Sequence, residues 1–216
     1  MKRIAIQIIF LCPFIFSVSA LAQRINYGVL AGGNLNFVSV RSDYDIQNIQ
    51  KFNPLLSFNT GVFLRTSNTP INFLASAEYA RTANSFDQRL SDYQGNPLNV
   101  SSSMINHALV LNGLVSYKII DKFYLGTGVS GSLLLKSTLK VNQDVFVSEI
   151  GQKFTNISYR TFTLSVPFLI GYDFHKFTFF SRFNLGLMNR LCGDTYVKEI
   201  NHTWIIGVGY IFKEQK

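Results

Sequence analysis

Five charged side chains offer the clearest chemistry in this sequence. They are Arg65, Glu78, Lys118, Asp173 and Arg182, and each lies on the polar side of a segment in which apolar and small polar residues alternate. Such a charge is stable in a low-dielectric interior when an opposite charge and hydrogen bonds compensate it. Glu78 can pair with Arg182 or Arg65, and Asp173 can pair with Lys118. The five residues therefore predict an internal charge network, which either fills an interior or lines a path for ions.

Catalytic chemistry has less support in the sequence. An enzyme that works through a nucleophile needs a base beside it, whereas His107, His175 and His202 are scattered over separate segments. His202 with Asp194 and Glu199 is the one grouping that resembles a hydrolase site, and it lacks a serine at a suitable spacing. We therefore expect no enzymatic activity, no cofactor and no metal site.

Eight segments must position these side chains. Each places apolar residues on one face and Gly, Ser, Thr or Asn on the other, which is the pattern of a β-strand. At nine to fifteen residues they exceed the usual soluble strand of about five or six and suit a membrane strand of about nine to eleven. The predicted strands are 25–39, 57–65, 72–81, 107–118, 123–136, 161–174, 177–188 and 203–212.

The connections between these segments alternate in length. Those at 40–56, 82–106, 137–160 and 189–202 are long, and those at 66–70, 119–122 and 175–176 are short. Short periplasmic turns that alternate with long extracellular loops are typical of outer-membrane barrels, and eight is an allowed strand number. The sequence therefore predicts an all-β fold, an eight-stranded antiparallel up-and-down transmembrane β-barrel.

The alternation also predicts which face meets the lipid. Since hydrocarbon cannot pair with backbone groups, only closed barrels or helices span a membrane, and the uniformly apolar face must point outward. A soluble barrel of the lipocalin type would instead turn its apolar face inward and expose a charged surface. The polar faces here carry mainly Gly, Ser, Thr and Asn, so they suit a narrow interior better than an exterior.

The N-terminus predicts export. Lys2 and Arg3 precede an apolar run at 4–18, and Ala20-Leu21-Ala22 fits a signal-peptidase site. The apolar run is short for a membrane anchor of about 20 residues. We therefore assign 1–22 to a cleaved signal peptide and 23–216 to the barrel domain, which we expect in the bacterial outer membrane.

Composition limits the remaining classes. The 216 residues are 15% charged, 47% hydrophobic and 14% aromatic, which argues against disorder. Loss of Lys2 and Arg3 lowers the net charge from +8 to +6, and this basic excess favours anionic surfaces such as lipopolysaccharide phosphates. Cys192 remains alone as a loop thiol or a link to a partner. No nucleic-acid-binding or nucleotide-binding motif is present.

Four segments carry a family resemblance. Residues 165–172, SVPFLIGY, resemble the "E-I-P-L-L-L-K-Y" strand of the Bacteroidetes outer-membrane β-barrel family, the PorT-like group. Residues 179–189 are similar to its "R-Y-x-x-G-L-x-N" strand, 204–212 to its closing strand, and 27–35 to its "G-x-x-A-G-x-N" opening. Ser165 replaces the usual acidic residue. The resemblance implies an eight-stranded outer-membrane barrel without a defined activity, and PorT itself is linked to protein secretion in gliding bacteria.

Three functions remain open from the sequence. The first is a structural or interaction barrel with long extracellular loops and a lumen filled by side chains, with outer-membrane lipid, lipopolysaccharide and an envelope or secretion protein as partners. The second is a narrow pore for small solutes, and the third is an outer-membrane lipid-modifying enzyme. An eight-stranded interior is just wide enough for side chains, which favours the first function.

Overall fold

The computed structural model describes residues 24–42, 52–67, 70–91, 97–141, 159–191 and 197–213. The predicted signal peptide and Cys192 lie outside these ranges. Eight strands follow one another along the chain: β1 (Arg24–Ser42), β2 (Phe52–Ser67), β3 (Ile71–Ser91), β4 (Pro97–Ile120), β5 (Phe123–Val141), β6 (Phe162–Phe174), β7 (Phe177–Gly186) and β8 (Val197–Lys213).

The strands form one closed barrel in sequence order. Each strand is antiparallel to the next, and β8 closes the ring by pairing with β1. Closure pairs every strand on both sides and so removes the exposed edges of an open sheet. The predicted strand number, direction and order are confirmed.

The two ends of the barrel differ in their connections. The short turns after β2, β4 and β6 lie at one end of the barrel. The beginning of β1 and the end of β8 lie there too, because Arg24 pairs with Ser67 and Lys213 pairs with Tyr27. We call this the turn end. The connections after β1, β3, β5 and β7 lie at the other end, which we call the loop end. In the turn 175–176, His175 takes a left-handed backbone conformation with φ of 55°.

Outward and inward faces divide by polarity, as the alternation predicts. Val62, Leu111 and Ile206 point outward and are each more than half exposed. Asn59 and Asn112 point inward and are buried. Among the described residues there is no helix with the length and apolar character to cross a membrane. The interior is therefore built from the polar faces of the strands, which bring the charged side chains together.

The predicted loop at 82–106 is wrong. Most of it is strand, because β3 continues to Ser91 and β4 already begins at Pro97, and their pairing is continuous from Ile71↔Tyr117 to Ser91↔Pro97. We call the band of outward apolar residues, such as Val62, Leu111 and Ile206, the apolar belt. The alternation fades here because the ends of β3 and β4 extend beyond this belt and need no uniformly apolar face. The pattern therefore located the belt and missed the hairpin above it.

Two local irregularities interrupt the regular ladder. At Pro167 the β5–β6 pairing stops between Thr127↔Phe168 and Ser130↔Ser165 and resumes in the same register, so the proline lies at a break in the ladder and not in a bulge. In β5 a bulge does occur: His107 pairs with Lys136, while the next residue, Ala108, pairs with Leu134. In the sequence, Lys136 continues the alternation of Ser130 and Ser132, which predicts an inward position. The extra residue reverses the alternation, so this prediction is wrong and Lys136 points outward.

Candidate functional site

Glu78 and Arg182 form the central contact of the lumen. Glu78 lies on β3 and Arg182 on β7, and the guanidinium binds the carboxylate in a bidentate way. Nη1 lies 2.7 Å from Oε1, and Nη2 lies 2.6 Å from Oε2. The residues are 1% and 2% exposed. Such forked, charge-assisted pairs are among the strongest hydrogen bonds in proteins, and this one spans the interior.

Three small polar residues complete the shell of Glu78. Asn59 donates to Oε2 at 2.8 Å, while Ser76 and Asn112 donate to Oε1 at 2.7 and 2.9 Å. With the two guanidinium bonds, the carboxylate accepts five hydrogen bonds from three other strands and its own. A buried charge with this compensation is stable as long as every partner remains.

A second ion pair lies nearer the turn end. Arg65 Nη1 contacts Asp173 Oδ1 at 2.8 Å, and the guanidinium carbon lies 5.4 Å from the ring centre of Tyr124. The Tyr124 hydroxyl is 2.7 Å from Thr178 Oγ1. This ring covers Gly171 of the neighbouring strand so closely that a Cβ at Gly171 would overlap it. The pair is thus held in place by an aromatic side chain.

The expected pairing of Asp173 with Lys118 is wrong. Lys118 is half-buried at the turn end, and its backbone nitrogen donates to Pro70. Within the described ranges its ammonium group forms no ion pair. Arg65 is buried and needs a compensating charge, whereas a lysine near the rim is partly solvated, so Asp173 pairs with the arginine. The structure therefore joins four of the five predicted charges in two pairs.

Apolar side chains fill the space between the two ion pairs. Phe63 is the inward-facing residue next to Arg65 on β2, and Phe180 is the inward-facing residue next to Arg182 on β7. The residual cavity here is about 20 Å³, little more than the roughly 10–15 Å³ that one water needs. The apolar cluster consists of Leu30, Phe63, Leu114, Tyr124, Leu169, Phe180, Ile205 and Ile211.

The loop-end half of the lumen holds a larger, polar cavity of about 110 Å³. Asn34, Asn184 and Arg182 contribute to its wall, and among the described residues the atoms Asn34 Oδ1, Asn184 Oδ1 and Arg182 Nε have no hydrogen-bond partner. At 110 Å³ the cavity exceeds several-fold the space that one water needs, so it suits a group of waters or a small polar solute.

Arg190 and Tyr159, which the sequence did not suggest, stand at this cavity. The Arg190 guanidinium carbon lies 4.6 Å from the ring centre of Tyr159, its Nη1 donates to Asn201 at 2.9 Å, and its Nε is 3.9 Å from Glu199 Oε2. Burial lowers the pKa of Arg190, and the charge of Glu199 opposes this. Burial also raises the pKa of Tyr159. Both residues fall in stretches predicted as loops, where alternation gives no signal.

The hydrolase-like grouping is not assembled by the described residues. Glu199 faces Arg190 in the lumen, whereas His202 lies on the opposite face of β8, stacked on Phe183 with a ring-centre distance of 6.3 Å. Asp194 lies outside the described ranges. Nor do those ranges contain three or more His, Cys, Asp or Glu residues grouped as metal ligands.

Several solved outer-membrane proteins resemble this chain in fold. OprG from Pseudomonas aeruginosa has 12% identity and a TM-score of 0.47, with 89% of this chain and 98% of that chain covered. The values for Ail of Yersinia pestis are 14%, 0.41, 87% and 98%. For Neisserial surface protein A they are 11%, 0.45, 86% and 97%. No curated protein sequence matches the chain.

A family model places the barrel in its membrane. The model described as "Outer membrane protein beta-barrel domain" matches residues 19–191, which is most of the 216-residue chain. The apolar outward face accordingly meets lipid, and the ion pairs lie inside the wall that the eight strands form. On this match, the chain belongs to the outer-membrane protein β-barrel domain family.

Proposed function

We propose that this protein is a non-conducting outer-membrane barrel that acts through contacts at its loop end. Its partners are outer-membrane lipid, including lipopolysaccharide, and a protein of the envelope or of a secretion system. The proposal includes export through the signal peptide at 1–22 and the absence of catalytic activity. The motifs around Pro167 and Arg182 favour membership of the Bacteroidetes, PorT-like group.

The closed lumen carries this proposal. An ion that crossed the barrel would have to separate Arg182 from Glu78. The Glu78 carboxylate accepts five hydrogen bonds. It would then have to enter the apolar cluster around Phe63 and Phe180. Breaking a buried ion pair costs roughly 3–5 kcal/mol, and an ion among apolar side chains pays a further desolvation cost. Such a lumen is unsuited to steady transport.

Planar-bilayer recording of the refolded mature protein tests the closed lumen. We expect no steady channels from the parent protein. We also expect none from Lys118→Gln, which removes a charge at the rim and leaves intact the side chains that fill the lumen. Glu78→Ala combined with Arg182→Ala should produce brief openings, because the lumen loses its central contact. Steady open channels in the parent would overturn the proposal and favour the small-solute pore.

A further inference from the structure

Three basic residues form a row across neighbouring strands on the outside of the barrel. Arg81 of β3 pairs with His107 of β4, and His107 pairs in turn with Lys136 of β5. We call these three residues the basic row. Directly paired residues project to the same face with Cβ atoms about 5 Å apart, so the three side chains share one patch.

The bulge in β5 places Lys136 in this row. Without the extra residue, Lys136 would follow the alternation of Ser130 and Ser132 and point into the lumen. The register shift between His107 and Ala108 turns it outward instead, where it is exposed. Bulges commonly redirect a side chain to a particular side of a sheet, and here the result is a third basic group on the lipid-facing side.

The row lies where the apolar belt ends. Ten residues separate Ile71 at the turn end from Arg81, which is roughly 34 Å along a strand at about 3.4 Å per residue. With a tilt of about 40°, this gives a height of roughly 26 Å, close to the apolar band of about 25 Å in such barrels. The outward residues just below the row are Tyr79, Leu109 and Leu133. The row therefore stands at the level of the lipid headgroups at the loop end.

The basic row is suited to an anion. Arg81 and Lys136 are two strand spacings apart, roughly 10 Å, and His107 stands between them. The Tyr79 hydroxyl is hydrogen-bonded to His107 Nδ1; where the tyrosine donates, His107 Nε2 carries a proton and can donate it to an anion. In the described parts of the chain, no carboxylate pairs with Arg81 or Lys136. A bound anion between Arg81 and Lys136 would therefore contact two cations that lack a carboxylate partner within these parts.

We propose that the basic row binds the phosphate groups of lipopolysaccharide in the outer leaflet. Long extracellular loops mark the loop end as the outer side of such barrels, where lipopolysaccharide phosphates lie at headgroup level. The acyl chains would lie along the apolar belt below Tyr79 and Leu109, while the phosphates meet the row. The inference deepens the lipid contact of the proposed function and depends on the membrane location, but not on the closed lumen.

The test compares binding of lipopolysaccharide with binding of enzymatically dephosphorylated lipopolysaccharide, using the refolded full barrel in detergent. The variant is Arg81→Gln combined with Lys136→Gln, and the matched control is Lys122→Gln, which removes an exposed charge at the turn end. We expect the double variant to bind lipopolysaccharide roughly thirtyfold more weakly, because basic residues near an anionic surface each contribute to binding. Lys122→Gln should bind like the parent.

Three results would overturn the proposal. They are parent-like binding by the double variant, equal parent binding of phosphorylated and dephosphorylated lipopolysaccharide, and displacement of the lipid by millimolar inorganic phosphate, which would indicate a free-phosphate site. A heat-modifiable gel shift checks folding; if the double variant does not fold, Lys136→Gln alone carries the test, with an expected loss of roughly fivefold. Bilayer conductance is recorded separately, so a failed lipid site and a failed closed lumen are distinguishable.

Discussion

The two halves of the lumen solve the problem of buried polarity in different ways. Toward the turn end, the Glu78–Arg182 contact stands above an apolar cluster and a second ion pair, and the residual cavity is about 20 Å³. Toward the loop end, the cavity is about 110 Å³, and in the ion pair on this side Arg190 Nε lies 3.9 Å from Glu199 Oε2. One half is filled by its own side chains, and the other keeps a polar wall.

This difference indicates separate roles for the two halves: the turn-end half fills the lumen, and the loop-end half presents a polar surface. A carboxylate that accepts five hydrogen bonds is stable without water, whereas Arg190, the partner of Glu199, borders a cavity large enough to be hydrated. If the lumen is closed as proposed, the layer of the Glu78–Arg182 pair is sufficient to block it, and the residues beyond that layer are not required for closure. On that proposal, we expect that the loop-end half can vary in packing and polarity without opening a path across the membrane.

The strongest test of the filled half is Glu78→Ala, which leaves Arg182 buried without its carboxylate. We expect a loss of about 3–5 kcal/mol in the free energy of unfolding, the typical cost of an uncompensated buried charge. Glu78→Gln should lose less, because its amide oxygen still accepts a hydrogen bond from the guanidinium. Urea unfolding of protein refolded in lipid vesicles measures both.

Phe73→Leu serves as the control, because it exchanges one apolar side chain for another on the lipid-facing side of β3. It should change the free energy of unfolding by less than about 1.5 kcal/mol. If Glu78→Ala is as stable as the parent, Arg182 is solvated and the lumen is open. That result would erase the contrast between the two halves.

Alternation predicts the belt of this barrel well because the membrane imposes it. Outward positions such as Val62 and Leu111 must be apolar, and inward positions such as Asn59 and Asn112 must be small or polar to fit a narrow interior. Both requirements disappear above the belt, where β3 and β4 pair as far as Ser91 and Pro97. The strand extensions consequently leave no period-two pattern in the sequence.

The site was predictable in composition and less so in pairing. Inward charges at Glu78 and Arg182 follow from the alternation, but the choice between Arg65 and Lys118 for Asp173 depends on how deep each cation lies. The outward position of Lys136 depends on a bulge one residue away, and bulges have no reliable sequence signal. The pairing of Asp173 and the direction of Lys136 depend on the register between strands, which the pattern of a single strand does not encode.

A second test of the filled half uses two glycines on different faces. In Gly171→Ala the new Cβ would overlap the Tyr124 ring, so the ring must move away from Arg65 and from Thr178. We expect a loss of about 1–3 kcal/mol, as for other overpacked interiors. Thermal unfolding in detergent, followed by the heat-modifiable gel shift, measures it.

Gly113→Ala is the matched control, because no heavy atom lies within 4 Å of the position where its Cβ would stand. It should leave the free energy of unfolding unchanged or raise it by about 0.4–1 kcal/mol, since alanine restricts the unfolded chain. Equal destabilisation by both substitutions would mean that the effect belongs to strand glycines in general and not to the contact with Tyr124.

The smallest expected effect concerns the ion pair of the loop-end half. A double-mutant cycle with Arg190→Gln and Glu199→Gln isolates the interaction between the two side chains. At 3.9 Å, beyond hydrogen-bond length, we expect a coupling energy of about 0.5–1 kcal/mol, the low end for neighbouring residues. The same cycle with Arg182→Gln and Glu78→Gln should reach about 3 kcal/mol, the high end of that range. Both cycles are measured by urea unfolding in vesicles. Glu→Gln keeps the size of the side chain, and the shortening in Arg→Gln is common to the single and the double variant, so packing changes largely cancel within each cycle. Equal coupling in the two cycles would mean that the Arg190–Glu199 pair is as well shielded from water as the Glu78–Arg182 pair. The two halves of the lumen would then differ in shape alone.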